Sequence, residues 1–405
     1  MRRVAPFLAV ALAALLVRVG VVVFWPRAGG LLRLEPSEIA ANLNAGRGFV
    51  FEQYGAVYHA WKEPLYMALL AVLSRWVGDG DLPVIALQSV FGIATAVGVA
   101  LIARHVLGDT PRAVAAGLLA AVNPFLVYYD THVAHYLSLV TALFVALTAT
   151  TLMAMRPGAQ GRRWTWIAGL AWGAGLWARG TLLVAGLAGW IAAIVAGERA
   201  RRRELALRTV LAVTIAALVI LPWPIRNYAM LGRVVFVSDV PHQLWLGNNP
   251  LSNGTFSDAQ GARIISRSDP AFRARIQGAP ELAQYDLFLG EVKRFVAEQP
   301  AAFAALTARR LLAFVWFSPN AGVNYPPWQN VVGRAAYVVL LVVGIVGLVR
   351  YWRRVDQTGR ARAVALLASV GGIALVHSLT AINMNHRVPL ELVLSVFAAE
   401  NGMRS

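Results

Sequence analysis

The chain has 405 residues, 58% hydrophobic and only 14% charged, where soluble domains run near half and about a quarter. With a mean hydropathy of +0.59 it reads as a polytopic membrane protein, which argues against a soluble enzyme, a disordered chain or a disulfide-stapled secreted domain. It has no cysteine, so thiolate catalysis, Cys-ligated zinc and disulfides are excluded. Its net charge of +17 rests on arginine, which supplies all basic residues except Lys62 and Lys293.

The first apolar run, 5–25, follows Arg2 and Arg3 and continues through Trp25 without a small-residue cleavage site. It is expected to be a retained signal-anchor with its N-terminus inside. A mixed loop, 26–82, follows. Within it, Pro36 to Leu43 has a helical pattern that ends at Gly46 and Gly48. This places Glu35 and Glu38 together at a helix N-terminus, where an acid also simply suits the dipole. The run 64–78 is short and carries Arg75 and Trp76, so it is expected to lie in the interface rather than to cross. Further spans are predicted over 83–103, 113–129, 138–155, 164–179, 181–197, 209–225, 331–349 and 363–381, with a last short run at 388–399.

This topology puts 104–112, 156–163, 198–208 and 350–362 on the inside. With the N-terminus they hold 17 arginines and four acids, +13 of the +17. The charge excess is therefore orientation by the positive-inside rule, and a nucleic-acid partner is set aside. The expected architecture is all-α: a seven-span module over 1–225 that includes the outer loop 26–82. An outer region follows over 226–330, with an interfacial helix at Ala301–Phe317 around Arg309 and Arg310, and then C-terminal spans over 331–405. The site is expected at the outer face of the cytoplasmic membrane. The spans carry little charge, Arg18 in the first and Arg179 at an outer end, and no inverted repeat is visible. Both points weigh against a transporter.

The candidate chemistry collects in the outer segments. Lys62, at headgroup level, could meet a phosphate or could be a snorkelling anchor. Asp130, His132 and His135 could form an acid/base or metal cluster, or be interface polar residues; a divalent metal stays open. Arg226, after Pro222 and Pro224, could pair bidentately with a phosphate, with Asn227 and Tyr228 beside it. Trp245 offers a ring for a sugar face, and Asn248 and Asn249 offer amides for sugar hydroxyls. The bland alternative there is an Asn/Gly/Pro turn.

With these residues in view, the chain resembles the GT-C superfamily of polytopic glycosyltransferases. It is closest to the bacterial glycosyltransferase 39 group, which includes protein O-mannosyltransferase-like and aminoarabinose-transferase-like enzymes. The resemblance is carried by E-P-S-E-I-A-A-N-L-x-x-G-R-G-F from Glu35, by Lys62-Glu63-Pro64, and by Pro222-Trp223-Pro224-Ile225-Arg226-Asn227-Tyr228. Leu246-Gly247-Asn248-Asn249-Pro250 and His386-Arg387-Val388-Pro389 complete it. It implies inverting transfer of a sugar from a polyprenyl-phosphate donor to a protein, glycan or lipid acceptor. Glu35, beside Glu38, would be the first-loop base, and Lys62, Arg179 and Arg226 would be the phosphate partners. His386 and Arg387 join the sugar or acceptor candidates. Where the family has a second acid, this chain has His135-Tyr136 with Asp130 five residues before, so Asp130 or His135 would substitute. The competing reading is a lipid-linked-saccharide flippase or an inactive binding protein.

Overall fold

A computed structural model of the chain describes residues 4–26, 28–258, 260–317 and 327–402, with backbone only for 327–330. Arg2, Arg3 and residues 318–326 of the expected outer region lie outside the described residues.

The first helix, α1 (Ala5–Phe24), is 20 residues long, and it buries only Val10, Ala14 and Arg18, one stripe at a spacing of four. Its other faces expose Leu8, Leu12, Leu16, Val19 and Val23. Apolar all round and about 30 Å long, it matches the hydrocarbon thickness of a bilayer. The chain then makes strand β1 (Leu32–Arg33), helix α2 (Glu35–Asn44), a hairpin of β2 (Phe51–Gln53) and β3 (Ala56–Tyr58), and helix α3 (Leu65–Trp76). Helix α4 (Asp81–Leu107) follows, then α5 (Thr110–Ala121) and α6 (Pro124–His132).

α5 and α6 together form a span bent by 49°. Pro124 has no N–H to continue the ladder, and the Asn123 side chain caps the second half by accepting from Leu126 N at 2.9 Å. Strand β4 (Val133–Ala134) leads to α7 (Leu137–Ala154), α8 (Gly158–Ala178), α9 (Thr181–Ala196) and α10 (Arg202–Ile220). A second bend, 42°, joins the α10 segment to α11 (Pro222–Leu231), where Pro222 and Pro224 again interrupt the ladder.

Short helices α12 (Val240–Gly247), α13 (Ile264–Arg267) and α14 (Pro270–Ile276) precede α15 (Glu281–Glu298) and α16 (Pro300–Val315). The last three are α17 (Pro327–Arg354), α18 (Gln357–Leu379) and α19 (Val388–Ala398). Among the described residues, five helices are long and apolar enough to cross a membrane, or up to seven if each bent pair counts as one span. α19 has 11 residues, nearly all buried, and at about 16 Å it reaches only half the hydrocarbon thickness. It is packed among α4, α5 and α17. The α9 and α18 backbones touch because Gly372 has no side chain; a Cβ there would lie 2.6 Å from Val184 O.

The arginine-rich connections meet at one end of the bundle. Arg156 reaches His105 at 3.3 Å, Arg112 and Arg354 both reach Glu400, and Thr358 reaches Glu198. At the opposite end, the 26–82 segment packs on the 232–298 segment: His59 N donates to Glu281 at 2.7 Å and Ser238 N to Ala60 O at 2.7 Å. The purely helical expectation needs one correction, two short ladders at that end: β1 with β4, parallel, and β2 with β3, antiparallel. A two-residue ladder leaves no periodic pattern in sequence. The two adjacent arginines of the expected interfacial helix, now in α16, also separate. Arg309 is exposed, while Arg310 is fully buried and donates to Ser378 O at 2.6 Å, to Gly247 O and to Asn248 Oδ1 at 2.8 Å.

Candidate active site

The parallel ladder between β1 and β4 pairs Leu32 with Val133 and Arg33 with Ala134. The chain leaves this ladder into α2 at Glu35 on one side and into His135 and Tyr136 on the other, and Glu35 acts on the charges of Lys62 and Arg179. Gln88 of α4 fixes this join. Its Nε2 donates to the carbonyls of Tyr129, Asp130 and Val133 at 3.0 Å each, and its Oε1 accepts from His135 N at 2.9 Å. Glu35 is half-buried. Among the described residues, its carboxylate has no hydrogen bond or ion pair.

Two cations face this join, Lys62 buried and Arg179 partly exposed. Lys62 is ion-paired with Asp239. Burial works against its ammonium, but Asp239, Tyr136 and Glu35 outweigh that and hold its pKa above the ordinary lysine value. Arg179, at the tight α8–α9 corner, lies 3.7 Å from Glu63 and 4.9 Å over the Tyr136 ring. Gly180 N donates to the same Glu63 carboxylate at 2.6 Å. Burial opposes the Arg179 charge too, and Tyr136, Glu63, Asp239 and Glu35 restore it. His135 is pushed down to about 3, first by burial and then by Arg179 and Lys62. Its Nδ1 accepts from Leu137 N at 3.1 Å.

A cavity of about 270 Å³ opens beside Arg179, lined also by Glu63, Asp239, Gln243, His377 and His386. The His377 and His386 rings stack at 3.6 Å and 14°. Gly180 and Phe236 form a boundary shared with an apolar groove of about 350 Å³ between α8, α9 and α10, walled by Trp172, Leu176, Leu183, Val213 and Ile220. A charged pocket that borders an apolar groove suits a ligand with an anionic head and a hydrocarbon tail.

The structure brings Glu35, Lys62, Arg179, His135 and His386 together and takes the other candidates elsewhere. Asp130 forms a fully buried ion pair with Arg18 at 2.6 Å. His132 turns to Trp25 O at 3.1 Å, so Asp130, His132 and His135 point three ways. Among the described residues, no group of three His, Asp or Glu side chains converges as a metal site. Glu38 is exposed and takes Glu52 N at 3.3 Å. Arg226 donates to His59 O and Asn227 Oδ1 and lies 5.1 Å from the Trp223 ring. Asn227 Nδ2 donates to the carbonyls of Val235 and Phe236, and Tyr228 is exposed. Trp245 is buried against Phe272 and Phe288, each at 5.3 Å.

Asn248 Nδ2 donates to Leu244 O and Leu379 O, and Asn249 Nδ2 to Trp245 O, all at 2.7 Å. Arg387 is buried between Glu391, Trp316 O and the Tyr337 ring. Sequence reasoning passed over Asp239, Gln243 and His377. His377 left one signal, an ionisable residue inside an apolar run.

Residues 60–225 match the family described as dolichyl-phosphate-mannose-protein mannosyltransferase, a stretch that holds Lys62, Glu63 and Arg179. No curated protein sequence matches the chain. Among solved structures, the oligosaccharyltransferase AglB from Archaeoglobus fulgidus, in complex with an inhibitory peptide and a dolichol-phosphate, aligns with a TM-score of 0.57 at 16% identity, over 97% of this chain and 50% of that one. The apo form of the Archaeoglobus fulgidus oligosaccharyltransferase gives 0.58 at the same identity and coverage. ArnT from Cupriavidus metallidurans bound to undecaprenyl phosphate gives 0.48 at 18% identity, over 98% and 77%. The chain thus spans about half the length of the AglB chain it matches. Residues 60–225 are therefore similar to that mannosyltransferase family, and the chain shares its fold with the Archaeoglobus fulgidus oligosaccharyltransferase.

Proposed function

We propose that the protein transfers a sugar from a polyprenyl-phosphate carrier to an acceptor hydroxyl, with inversion at the anomeric carbon. The observation that carries this reading is the cavity beside Arg179, which borders an apolar groove at Gly180 and Phe236. The phosphate would sit against Arg179 and Lys62, and the prenyl tail would run between α8, α9 and α10. Glu35, with no partner of its own among the described residues and next to both cations, is the general base. The acceptor oxygen bonds to the anomeric carbon as the bond from that carbon to the phosphate oxygen breaks. The electron pair leaves on the polyprenyl phosphate, and the acceptor proton goes to Glu35. Arg179 and Lys62 stabilise the charge that develops on the leaving phosphate.

The arginine-rich end of the bundle faces the cytoplasm on this reading, by the positive-inside rule, and the cavity faces outward from the cytoplasmic membrane. The chain has no cysteine, so a single cysteine introduced at residue 160 or 202 tests the orientation; labelling from outside would overturn it. The activity is tested by giving membranes labelled polyprenyl-phosphate sugars and following the label. Covalent transfer to protein, glycan or lipid supports the proposal. Flux of the intact donor across proteoliposomes without transfer would identify a flippase instead.

A further inference from the structure

The fixed charges around the cavity do not favour an anion. Lys62 and Arg179 are faced by Asp239, Glu63 and Glu35, so three carboxylates stand against two cations. A phosphodiester head would enter a site whose permanent charge is already net negative. The groups that can change this are the histidines, and two of them line the cavity as a stack.

The two rings are not equivalent. His386 Nδ1 accepts from Asn383 N at 3.2 Å, so its proton sits on Nε2 and a second proton would break that bond. His377 has no such tie. Its Nδ1 faces Thr380 Oγ1 at 3.4 Å, and that hydroxyl is oriented toward Val376 O, which leaves its oxygen free to accept. His377 also sits in the last turn of α18, where the helix dipole favours a cation. At a ring separation of 3.6 Å both cannot be charged without strong repulsion, so the pair has room for one proton. Burial is the strongest effect against a charge on either ring, with Arg179 and, on His386, His135 adding to it; the carboxylates of Glu63 and Asp239 line the same cavity and supply the opposing attraction.

We propose that His377 takes up one proton when a phosphodiester head enters beside Arg179, donating through Nε2 to the phosphate while His386 stays neutral against its face. This rests on the donor reading above and adds that donor binding consumes a proton. The linkage makes binding tighter as pH falls, by up to about tenfold per pH unit where one proton is fully coupled.

The test is titration calorimetry of the full-length protein in detergent with farnesyl methyl phosphate. This diester has no proton to exchange near neutral pH, so any proton taken up is the protein's. Measured in two buffers of different ionisation enthalpy, the wild type should take up close to one proton per site. His377→Gln should bind with no uptake and with an affinity flat in pH, whereas His386→Gln, which still accepts from Asn383 N, should keep the uptake. Dimethyl phosphate should give the same proton count at lower affinity; uptake seen only with the prenyl chain would contradict a phosphate-linked proton. Binding by the wild type without uptake, or equal uptake in His377→Gln, overturns the proposal and leaves the donor reading standing. Absence of any binding of the farnesyl diester overturns both.

Discussion

The carboxylate of Glu63 holds both sides of the α8–α9 corner: Gly180 N donates to it at 2.6 Å, and the Arg179 guanidinium lies 3.7 Å away. The corner is therefore locked with its cation turned into the cavity. Arg179→Gln should weaken binding of a prenyl phosphate by about 10- to 100-fold, the cost of one charge-assisted hydrogen bond. Arg179→Lys, which keeps the charge but loses the planar fork, should recover only part of it. Equilibrium binding measures both, and unchanged affinity in Arg179→Gln would remove this residue from the phosphate site.

The pairing of Asp130 with Arg18, at side-chain exposures of 0% and 1%, makes it structural. Asp130→Asn alone should destabilise the fold by about 3–5 kcal/mol, because Arg18 is left buried and unpaired. Replacing both, Arg18→Met with Asp130→Leu, should restore the melting temperature and keep transfer. A well-folded double variant that lacks transfer would put Asp130 back among the catalytic groups. Gly92→Ala should mimic the single loss, since its Cβ would lie 2.1 Å from Asp130 Oδ2.

Gly247 joins α12 to the end of α18. A Cβ there would meet Thr380 C at 2.7 Å and Ala381 N at 2.8 Å, backbone atoms that cannot rotate away. Gly247→Ala should cost about 1–3 kcal/mol by overpacking and loosen the cavity wall that bears Thr380. Thermal unfolding in detergent reads the first effect, and donor affinity the second.

Buried histidines also set a pH limit on stability. Burial and nearby cations hold His135 down at about 3, and burial holds His242 at about 4, both from an ordinary 6.5. Their folded pKa values are depressed, so the unfolded chain binds more protons below 6.5. Stability is full above that pH and is lost as pH falls toward 4, by up to about 1.4 kcal/mol per pH unit for each histidine. Tm in detergent should fall between pH 7 and pH 5. A Tm that is flat or rises over that range contradicts the burial of these rings in neutral form.

Much of the frame was legible because apolar runs and arginine placement are strong signals. The spans around 83–103 and 138–155 appear as α4 and α7, and α2 ends where Gly46 and Gly48 adopt positive φ. The site was harder to read. Lys62 and Arg179 were found as charges out of place, but their partners Asp239 and Glu63 look in sequence like ordinary loop acids. Asn248 and Asn249 lie in a segment that resembles a glycosyltransferase motif, and both hold backbone carbonyls. Geometry alone separates a scaffold amide from a ligand contact. The short β1–β4 ladder, which leads into Glu35 on one side and His135 on the other, joins segments about 100 residues apart through two residues of each, too little for any local pattern to announce.

The central claim, that Glu35 activates an acceptor beside a phosphate held by Arg179, is tested most directly by single-turnover sugar transfer from a saturating polyprenyl-phosphate donor, comparing wild type with Glu35→Gln. Loss of a general base should slow transfer by about 10²–10⁴-fold while donor affinity stays close to that of the wild type. Transfer at the wild-type rate by Glu35→Gln would contradict the account.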